Sequence, residues 1–182
     1  MQKNANGLTD EQLVIIVRDK DKEKFAEIIA RYQNKIISYL YRLVGDRENS
    51  QDLAQEVFLK TYKNLNGFDI RRKFSSWLYR IAHNEAVNFL RFSTNRKVVS
   101  IDQNEYLKNT LGKSDGIEEK LDKKSELVKL KQIVDQLPLK YREPIILKFY
   151  EDRSYEEISN ILRIPINTVG TLVSRGKEKL KK

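Results

Sequence analysis

Residues 154–180 read SYEEISNILRIPINTVGTLVSRGKEKL, and this segment gives the most specific indication of the fold. It begins with a capping box, because Ser154 is followed three residues later by Glu157, just before apolar residues at helical spacing. A two-residue turn then leads to Pro165, and proline is tolerated in the first turn of a helix. The stretch therefore predicts two short helices joined by a tight turn, a helix-turn-helix.

The second helix of this pair carries the residue types that a DNA-reading surface needs. Residues 163–182 hold six basic residues and one acidic residue, so the segment attracts phosphates, while its hydroxyls and an arginine can reach base edges. The candidate DNA-binding residues, which fall on the outward side of the helix, are Thr168, Thr171, Ser174, Arg175 and Lys177. An ordinary helical hairpin with a solvated basic tail is the alternative interpretation.

The amino-acid composition and the apolar periodicity extend the helical prediction to the rest of the chain. The 182 residues include 7 glycines and 3 prolines, less than half the average usage of about 12%. Apolar residues recur at three- and four-residue steps, as in Phe25, Ile28, Tyr32 and Ile36. At about 150 residues per domain, the length allows one large domain or two small ones. We therefore expect an all-α fold.

Absent residue types and net charge narrow the classes of function. Without cysteine the chain has no disulfide framework, thiol nucleophile or thiolate zinc site, and the lone His83 leaves too few nitrogens for a histidine-based metal centre. We expect no metal and no cofactor. The net charge of +9 indicates a polyanionic partner. Because neither a signal peptide nor a membrane-spanning window is visible, we expect a cytoplasmic protein that binds nucleic acid, without direct membrane insertion.

The periodic segments fall into two groups, which predicts two small helical domains. Residues 1–97 contain four helices that can enclose one core, with the third expected at about 48–65 and the fourth at about 74–91. Residues 98–121 are rich in turn and linker residues and predict a flexible tether. Residues 122–182 form the second, smaller domain, which ends in the helix-turn-helix.

One side of the third helix is acidic and yet carries an exposed leucine. Four acidic residues and one basic residue occur in residues 45–59, so this surface repels DNA and suits a basic, partly apolar protein partner. The residues on this side are Asp52, Gln55, Glu56 and Leu59. Two alternatives stay open: a plain solvated face, and a divalent metal site in which His83 serves as a base.

The fourth helix and the loop before it form a second basic surface. Residues 71–97 hold seven basic residues and one acidic residue, and aromatic rings are interleaved with them. Together with Asn66, Phe68 and Asp69 of the loop, these residue types suit an unpaired, extruded base better than a closed duplex. The alternative is that Phe68, Phe74 and Trp77 belong to the hydrophobic core.

In this order, the three surfaces resemble the sigma factors of bacterial RNA polymerase, in particular the small two-domain extracytoplasmic-function (ECF) sigma factors. The resemblance spans almost the whole chain. It implies a region 2 domain at residues 25–92 and a region 4 domain at residues 122–182, joined by the tether. The stretches that carry it are FAEIIARY (25–32), DLAQEVFLK (52–60), FSSWLYRIAHN (74–84), LPLKYREP (137–144), YEEIS (155–159) and IPINTV (164–169).

The resemblance implies a role for each surface. The residues that match the surface docking on the clamp helices of the polymerase core are Asp52, Gln55, Glu56 and Leu59. The residues that match the reader of the minus-ten promoter element, where one base is extruded, are Asn66, Phe68, Asp69, Arg71, Arg72, Lys73, Arg80, Asn84 and Arg91. The residues that match the reader of the minus-thirty-five element are Thr168, Thr171, Ser174, Arg175 and Lys177.

The implied function is that of a promoter-specificity subunit. Such a protein binds core polymerase and promoter DNA, assists promoter melting and catalyses no reaction, and an anti-sigma factor is a further expected partner. The sequence departs from the family pattern at Asn88, where aspartate is common, and at Gly170 and Leu172, where lysine and arginine are common. We expect a weaker grip on duplex DNA at these positions.

Two rival functions remain at this stage. The first is a stand-alone helix-turn-helix transcriptional regulator, with residues 1–92 as a sensing or dimerisation domain. The second is a metal-dependent nuclease built on Asp52, Glu56 and His83. A footprint on palindromic DNA without polymerase would favour the first rival, and magnesium-dependent cleavage would favour the second.

Overall fold

The computed structural model describes residues 7–98, residue 134 and residues 136–181. These residues form α-helices and two single-turn 3₁₀ helices, and no strand occurs among them. Nearly all of the predicted tether, residues 98–121, lies outside the described residues, as does the start of the second predicted domain. We refer to residues 7–98 as the first module and to residues 134–181 as the second module.

The helices follow one another with short connections. In the first module they are α1 (Asp10–Asp19), a 3₁₀ turn (Lys22–Lys24), α2 (Phe25–Val44), α3 (Arg47–Asn64), a 3₁₀ turn (Leu65–Gly67) and α4 (Phe74–Val98). In the second module they are α5 (Leu139–Phe149), α6 (Tyr155–Leu162) and α7 (Ile166–Leu180). The element order confirms the all-α prediction.

Local sequence signals set most of the helix ends. The predicted capping box at Ser154 is present before α6, and a second capping box, at Thr9, precedes α1. Gly45 ends α2 with a φ of 82°, in the left-handed region that glycine adopts without strain. One boundary differs from expectation, since α4 continues past Arg91 to Val98. No glycine or proline interrupts this extension.

The core of the first module lies between α2, α3 and α4. Ile28, Ile36 and Leu40 of α2 are fully buried, as is Val57 of α3. Burying an aliphatic side chain of this kind contributes about 1.5–3 kcal/mol, so this stripe accounts for much of the stability of the module. This stripe holds α3 and α4 against α2 and leaves the opposite face of α3 turned outward.

The second module is a helix-turn-helix packed on α5. Ile158 and Ile161 of α6 are fully buried, and so is Val169 of α7. The turn between them is closed by Arg163, whose φ of 55° is left-handed, and by Ser159, whose Oγ donates to the carbonyl of Ile164 over 2.6 Å. This arrangement confirms the helix-turn-helix that the sequence predicts.

The two modules pack against each other, α4 against α6 and α2 against α5. The cluster of buried residues runs without a break from one module into the other. Tyr39 of α2 and Tyr79 of α4 are completely buried, and both donate hydrogen bonds to carboxylates of the second module. The described parts of the two modules therefore share an interface.

Candidate binding surfaces

The acidic side of α3 is open to solvent. Its position is fixed by Asp46, whose side chain caps the helix by accepting a hydrogen bond from the backbone N–H of Asn49 over 2.8 Å. Leu59 is 52% exposed, which is unusual for a leucine on a core-packed helix. Among the described residues, Asp52, Gln55 and Glu56 find no hydrogen-bond or ion-pair partner. We call these four residues, Asp52, Gln55, Glu56 and Leu59, the α3 ridge.

An apolar groove of about 790 Å³ runs beside the α3 ridge, between α2 and α3. Phe25 and Ile29 line one side of it, and Phe58, Leu59 and Tyr62 line the other. Tyr62 is 43% exposed and meets the Phe25 ring edge-on, with the ring centroids 5.0 Å apart. Acidic and exposed apolar groups thus lie side by side, which is the combination the sequence predicts for a protein partner.

The loop before α4 is held by side chains that are far away in sequence. The Arg18 guanidinium of α1 donates hydrogen bonds to the backbone carbonyls of Leu65 and Phe68. Its Nε lies 2.8 Å from the Leu65 oxygen. Glu11, also on α1, accepts a hydrogen bond from the backbone N–H of Phe74 over 2.9 Å, which caps the start of α4. Sequence analysis missed both residues, because neither stands near the loop in the chain or belongs to a local motif.

The exposed part of this loop is organised by Asp69. Its carboxylate accepts from the Arg71 side chain over 2.9 Å and lies 3.8 Å from Arg72. Hydrogen bonds from the Arg71 side chain and backbone lower the pKa of Asp69 to about 2. The guanidinium groups of Arg71 and Arg72 nevertheless remain largely exposed, so the loop presents a basic surface.

The observed position of Phe68 differs from the surface position predicted for a residue that contacts an extruded base. The side chain is only 4% exposed, and its ring packs against Phe74 and Trp77 with centroid separations of 5.5 and 5.2 Å. In this arrangement Phe68 is a core residue and offers no free face for stacking on a base. The apolar environment of α1 and α4 outweighs its position in a polar loop. Asn66, by contrast, is exposed as expected.

The basic side of α4 faces a cleft of about 400 Å³ between the two modules. The first module contributes Arg71, Arg72, Lys73 and Arg80 to its wall, and the second contributes Ser154, Glu156, Glu157 and Asn160. Burial and the nearby Arg163 and Arg72 lower the pKa of Arg80. Asn84 and Arg91, farther along α4, are exposed. We call this space the basic cleft.

The outward side of α7 is exposed at the positions that the sequence predicts. The five predicted positions are all exposed: Thr168, Thr171, Ser174, Arg175 and Lys177. Val169 and Val173, one helical turn apart, are buried and tie the helix to α5 and α6. A row of hydroxyl and basic groups is therefore available to an outside partner.

His83 contacts the second module and not the carboxylates of the α3 ridge. Its Nδ1 lies 2.6 Å from Glu143 Oε1 in the second module, and the same oxygen accepts from the Tyr39 hydroxyl over 2.6 Å. Across the residues that the structure describes, no group of three histidine, cysteine, aspartate or glutamate side chains is placed to hold a metal ion. His83 is a participant in the interface between the modules.

Comparison with known families shows what this combination of surfaces is. The Sigma-70 region 2 family model matches residues 28–96, and the Sigma-70 region 4 model matches residues 127–180. The chain belongs to the sigma-70 family of RNA polymerase sigma factors, in its ECF group. Its function is that of a sigma factor in transcription initiation, and the comparisons do not support the stand-alone regulator.

Individual relatives agree with this assignment. The ECF RNA polymerase sigma factor SigW of Bacillus subtilis is 35% identical over 173 residues, which cover 91% of each chain. Two solved structures share the fold. CnrH, solved with the cytosolic domain of CnrY, gives a TM-score of 0.70 at 20% identity and 94% coverage of both chains. RpoE, solved with the anti-sigma factor NepR from Bartonella quintana, gives 0.71 at 21% identity, covering 87% of this chain and 95% of RpoE.

Within the described parts of the chain, no helix combines the length and the apolar character that a membrane span requires.

Proposed function

We propose that the chain docks on core polymerase through the α3 ridge. The observation that carries this proposal is the exposure of Leu59 and three unpaired polar side chains on one helix face, next to an apolar groove of about 790 Å³. A basic helical partner could pair with Asp52 and Glu56 while its apolar residues cover Leu59 and enter the groove. Such a contact is reversible, which a dissociable specificity subunit needs.

The minus-ten element is read by the loop before α4 and by the basic side of α4. Arg71, Arg72 and Lys73 are exposed and can hold phosphates, while Asn66 and Asp69 offer amide and carboxylate groups to an unpaired base. Arg80, Asn84 and Arg91 extend this surface along the helix. Phe68 contributes indirectly, because its buried ring anchors the loop to Phe74 and Trp77.

The minus-thirty-five element is read by α7. Its exposed hydroxyls and Arg175 suit base edges in the major groove, and Lys177 suits a phosphate. Gly170 and Leu172 stand where family members often carry basic residues, so we expect the α7 contacts to be fewer than usual. The division of labour between residues 1–97 and 122–182 is supported by the separate family matches in the two halves.

The energetics of melting explain why this chain works inside a complex. Extruding one base costs a few kcal/mol, on the order of the ~1–3 kcal/mol that stacking on a protein surface returns. A single captured base therefore offsets roughly its own extrusion, and the polymerase must supply the remainder. All of these steps are binding steps, so we assign the chain no catalytic reaction.

An anti-sigma factor is a further proposed partner. The relative RpoE was solved with such a factor, and the α3 ridge with its groove is a surface that a competing polypeptide could cover. A partner of this kind would have to compete with core polymerase for the same residues. Co-purification should therefore recover the chain with one partner or the other, and never with both on one copy.

Run-off transcription with core polymerase tests the proposed function. Templates should come from a promoter library, with reactions lacking this chain as the control. We expect transcripts only when the chain is present, from templates that share two short elements at a fixed spacing. Failure to produce specific transcripts, together with a footprint on palindromic DNA in the absence of polymerase, would contradict the proposal.

A further inference from the structure

One face of α1 contacts the loop that precedes α4. Glu11, Val14 and Arg18 follow one another at steps of three and four residues, so they lie on the same side of the helix. Val14 is fully buried, and α1 contacts both α4 and the 3₁₀ turn Leu65–Gly67. The two polar residues at the ends of this stripe are therefore placed to bind the loop.

Arg18 binds the beginning of the loop. Its Nε lies 2.8 Å from the Leu65 carbonyl oxygen, and its Nη2 lies 2.5 Å from the Phe68 carbonyl oxygen. The Leu65 oxygen also accepts from the backbone N–H of Phe68 over 3.1 Å, which closes the turn between them. A planar guanidinium presents several donors in a fixed fork, whereas a lysine ammonium acts as a point charge. The contact with two carbonyls therefore depends on arginine.

The same guanidinium keeps Phe68 turned inward. It lies 6.0 Å from the centroid of the Phe68 ring, at the limit of cation–π attraction. The ring itself packs against Phe74 and Trp77. Two residues later the side chain of Ile70 is 45% exposed, so the chain turns from the core to solvent between Phe68 and Ile70. The contacts of Phe68 fix where this turn begins.

Glu11 binds the end of the loop. Its Oε1 accepts from the backbone N–H of Phe74 over 2.9 Å, and the Phe74 side chain is fully buried. Between the two attachments, the Asp69 carboxylate accepts from the backbone N–H of Arg71 over 3.1 Å. The loop is therefore fixed to one helix at both ends and is braced in the middle by its own carboxylate.

This arrangement orders the loop before any ligand arrives. A segment that is already held in one conformation loses less conformational entropy when it binds. Asn66 and Asp69, the groups proposed to meet an unpaired base, stand between the two attachments to α1. Helix α1 precedes residues 28–96, which match the Sigma-70 region 2 model. The attachments therefore come from a segment outside the matched part of the family.

We infer that Arg18 and Glu11 are positioning residues for base selection in the minus-ten element. They hold the backbone that carries Asn66 and Asp69, and they contact no DNA themselves. This inference rests on the proposed function for the identity of the loop. It adds a requirement for selectivity, because the groups that meet a base can distinguish it from another only while α1 holds them in place.

The test uses the full chain in complex with core polymerase. Arg18→Met removes both hydrogen bonds to the loop. Arg18→Lys keeps the charge without the fork, and it serves if the methionine variant does not fold. Lys20→Met is the matched control, because Lys20 is exposed at the end of the same helix and its loss makes the same change in net charge. At the other attachment, Glu11→Ala removes the acceptor for Phe74, whereas Glu11→Gln keeps an oxygen that can accept.

Run-off transcription measures base selection. The templates carry each of the four bases at each position of the minus-ten element found with the parent chain. The ratio of rates between the best and the worst base gives the discrimination at that position. Aminopurine, a fluorescent base that brightens when it is unstacked, identifies the extruded position. Discrimination within the minus-thirty-five element and affinity for core polymerase are the internal references.

We expect Arg18→Met and Glu11→Ala to reduce discrimination at the extruded position by about fivefold or more, with both internal references within about twofold of the parent. Arg18→Lys should lie between Arg18→Met and the parent, while Lys20→Met and Glu11→Gln should match the parent.

A purely structural role would lower the rate on all templates by the same factor. That result, or unchanged discrimination in the Arg18 variants, would overturn the inference. A parent complex that distinguishes no bases anywhere in the minus-ten element would instead contradict the proposed function.

Discussion

The α3 ridge and the basic side of α4 lie on the same module but differ in charge and in their contacts with the second module. The ridge is acidic, and its three polar side chains have no partner among the described residues. The cleft is basic, and Lys73 is already paired with Glu157 of the second module. Two exposed surfaces of this chain therefore differ in whether their charged groups already have a partner within the chain. One surface has no internal partner among the described residues, whereas the other already contacts the second module.

Reversing a charge on the open surface should produce the largest effect. Glu56→Arg places a basic group where a basic partner is expected, and like charges brought together across an interface cost several kcal/mol. We predict that affinity for core polymerase falls by about 100-fold or more, measured by titration of labelled protein. Glu178→Arg makes the same change in net charge on exposed α7 and should leave the affinity within about threefold. Equal affinities for the two variants would refute the docking assignment.

Removing the proposed base-reading group Arg175 from the second module should have a smaller, selective effect. Arg175→Ala takes away an exposed guanidinium on α7, and a base contact of this type is worth about 1–3 kcal/mol. We predict a loss of about tenfold in transcription from templates that depend on the minus-thirty-five element, with core affinity unchanged. Lys181→Ala, at the exposed end of α7, should change transcription by less than about twofold. A uniform loss on all templates would instead indicate a phosphate contact.

Substitutions at two glycines of α7 should change the stability of the second module in opposite directions. A Cβ added at Gly176 would lie 2.8 Å from Cγ1 of the buried Ile145, so Gly176→Ala forces the core to shift. Overpacking costs about 1–3 kcal/mol and outweighs the gain of about 1 kcal/mol in helix propensity. At Gly170 the nearest atom is Tyr155 Cε2 at 3.7 Å, so Gly170→Ala should stabilise the chain by about 0.5–1 kcal/mol. The thermal unfolding midpoints of the two variants check this prediction. Midpoints that shift in the same direction would contradict the packing described around these glycines.

The smallest effect concerns the acid stability of the loop before α4. The pKa of Asp69 is lowered to about 2 by its bonds to Arg71, so the loop gains stability from the ionised carboxylate above the ordinary pKa of 3.8. That contribution is lost as the pH falls from about 4 to about 2. NMR titration of the Asp69 carboxyl should show this low midpoint, and Asp69→Asn should abolish the transition. A midpoint near 3.8 would show that the pair with Arg71 does not form in solution.

The sequence predicted features that depend on neighbours in the chain. The capping box at Ser154 is in place, because helix ends are decided within a few residues. The exposed sides of α3 and α7 followed from helical periodicity alone. The same reasoning could not supply Arg18 as an anchor of the loop, since its hydrogen bonds to the loop carbonyls join residues 47 and 50 positions apart.

Contacts between residues that are distant in the chain were also beyond the sequence. Tyr39, Glu143 and His83 meet in the interface between the modules, and no pattern in the sequence indicates that they do. Phe68 sits in a polar loop but turns into the aromatic cluster with Phe74 and Trp77. In both cases tertiary contacts outweigh the local pattern, and only the folded chain shows which partner each side chain finds.

The decisive measurement is the affinity of the purified chain for promoter DNA from the library, determined with and without core polymerase. We predict tight, sequence-specific binding only when core is present, because the melting step needs energy from the complex. Tight and specific binding of duplex promoter by the chain alone would contradict the account.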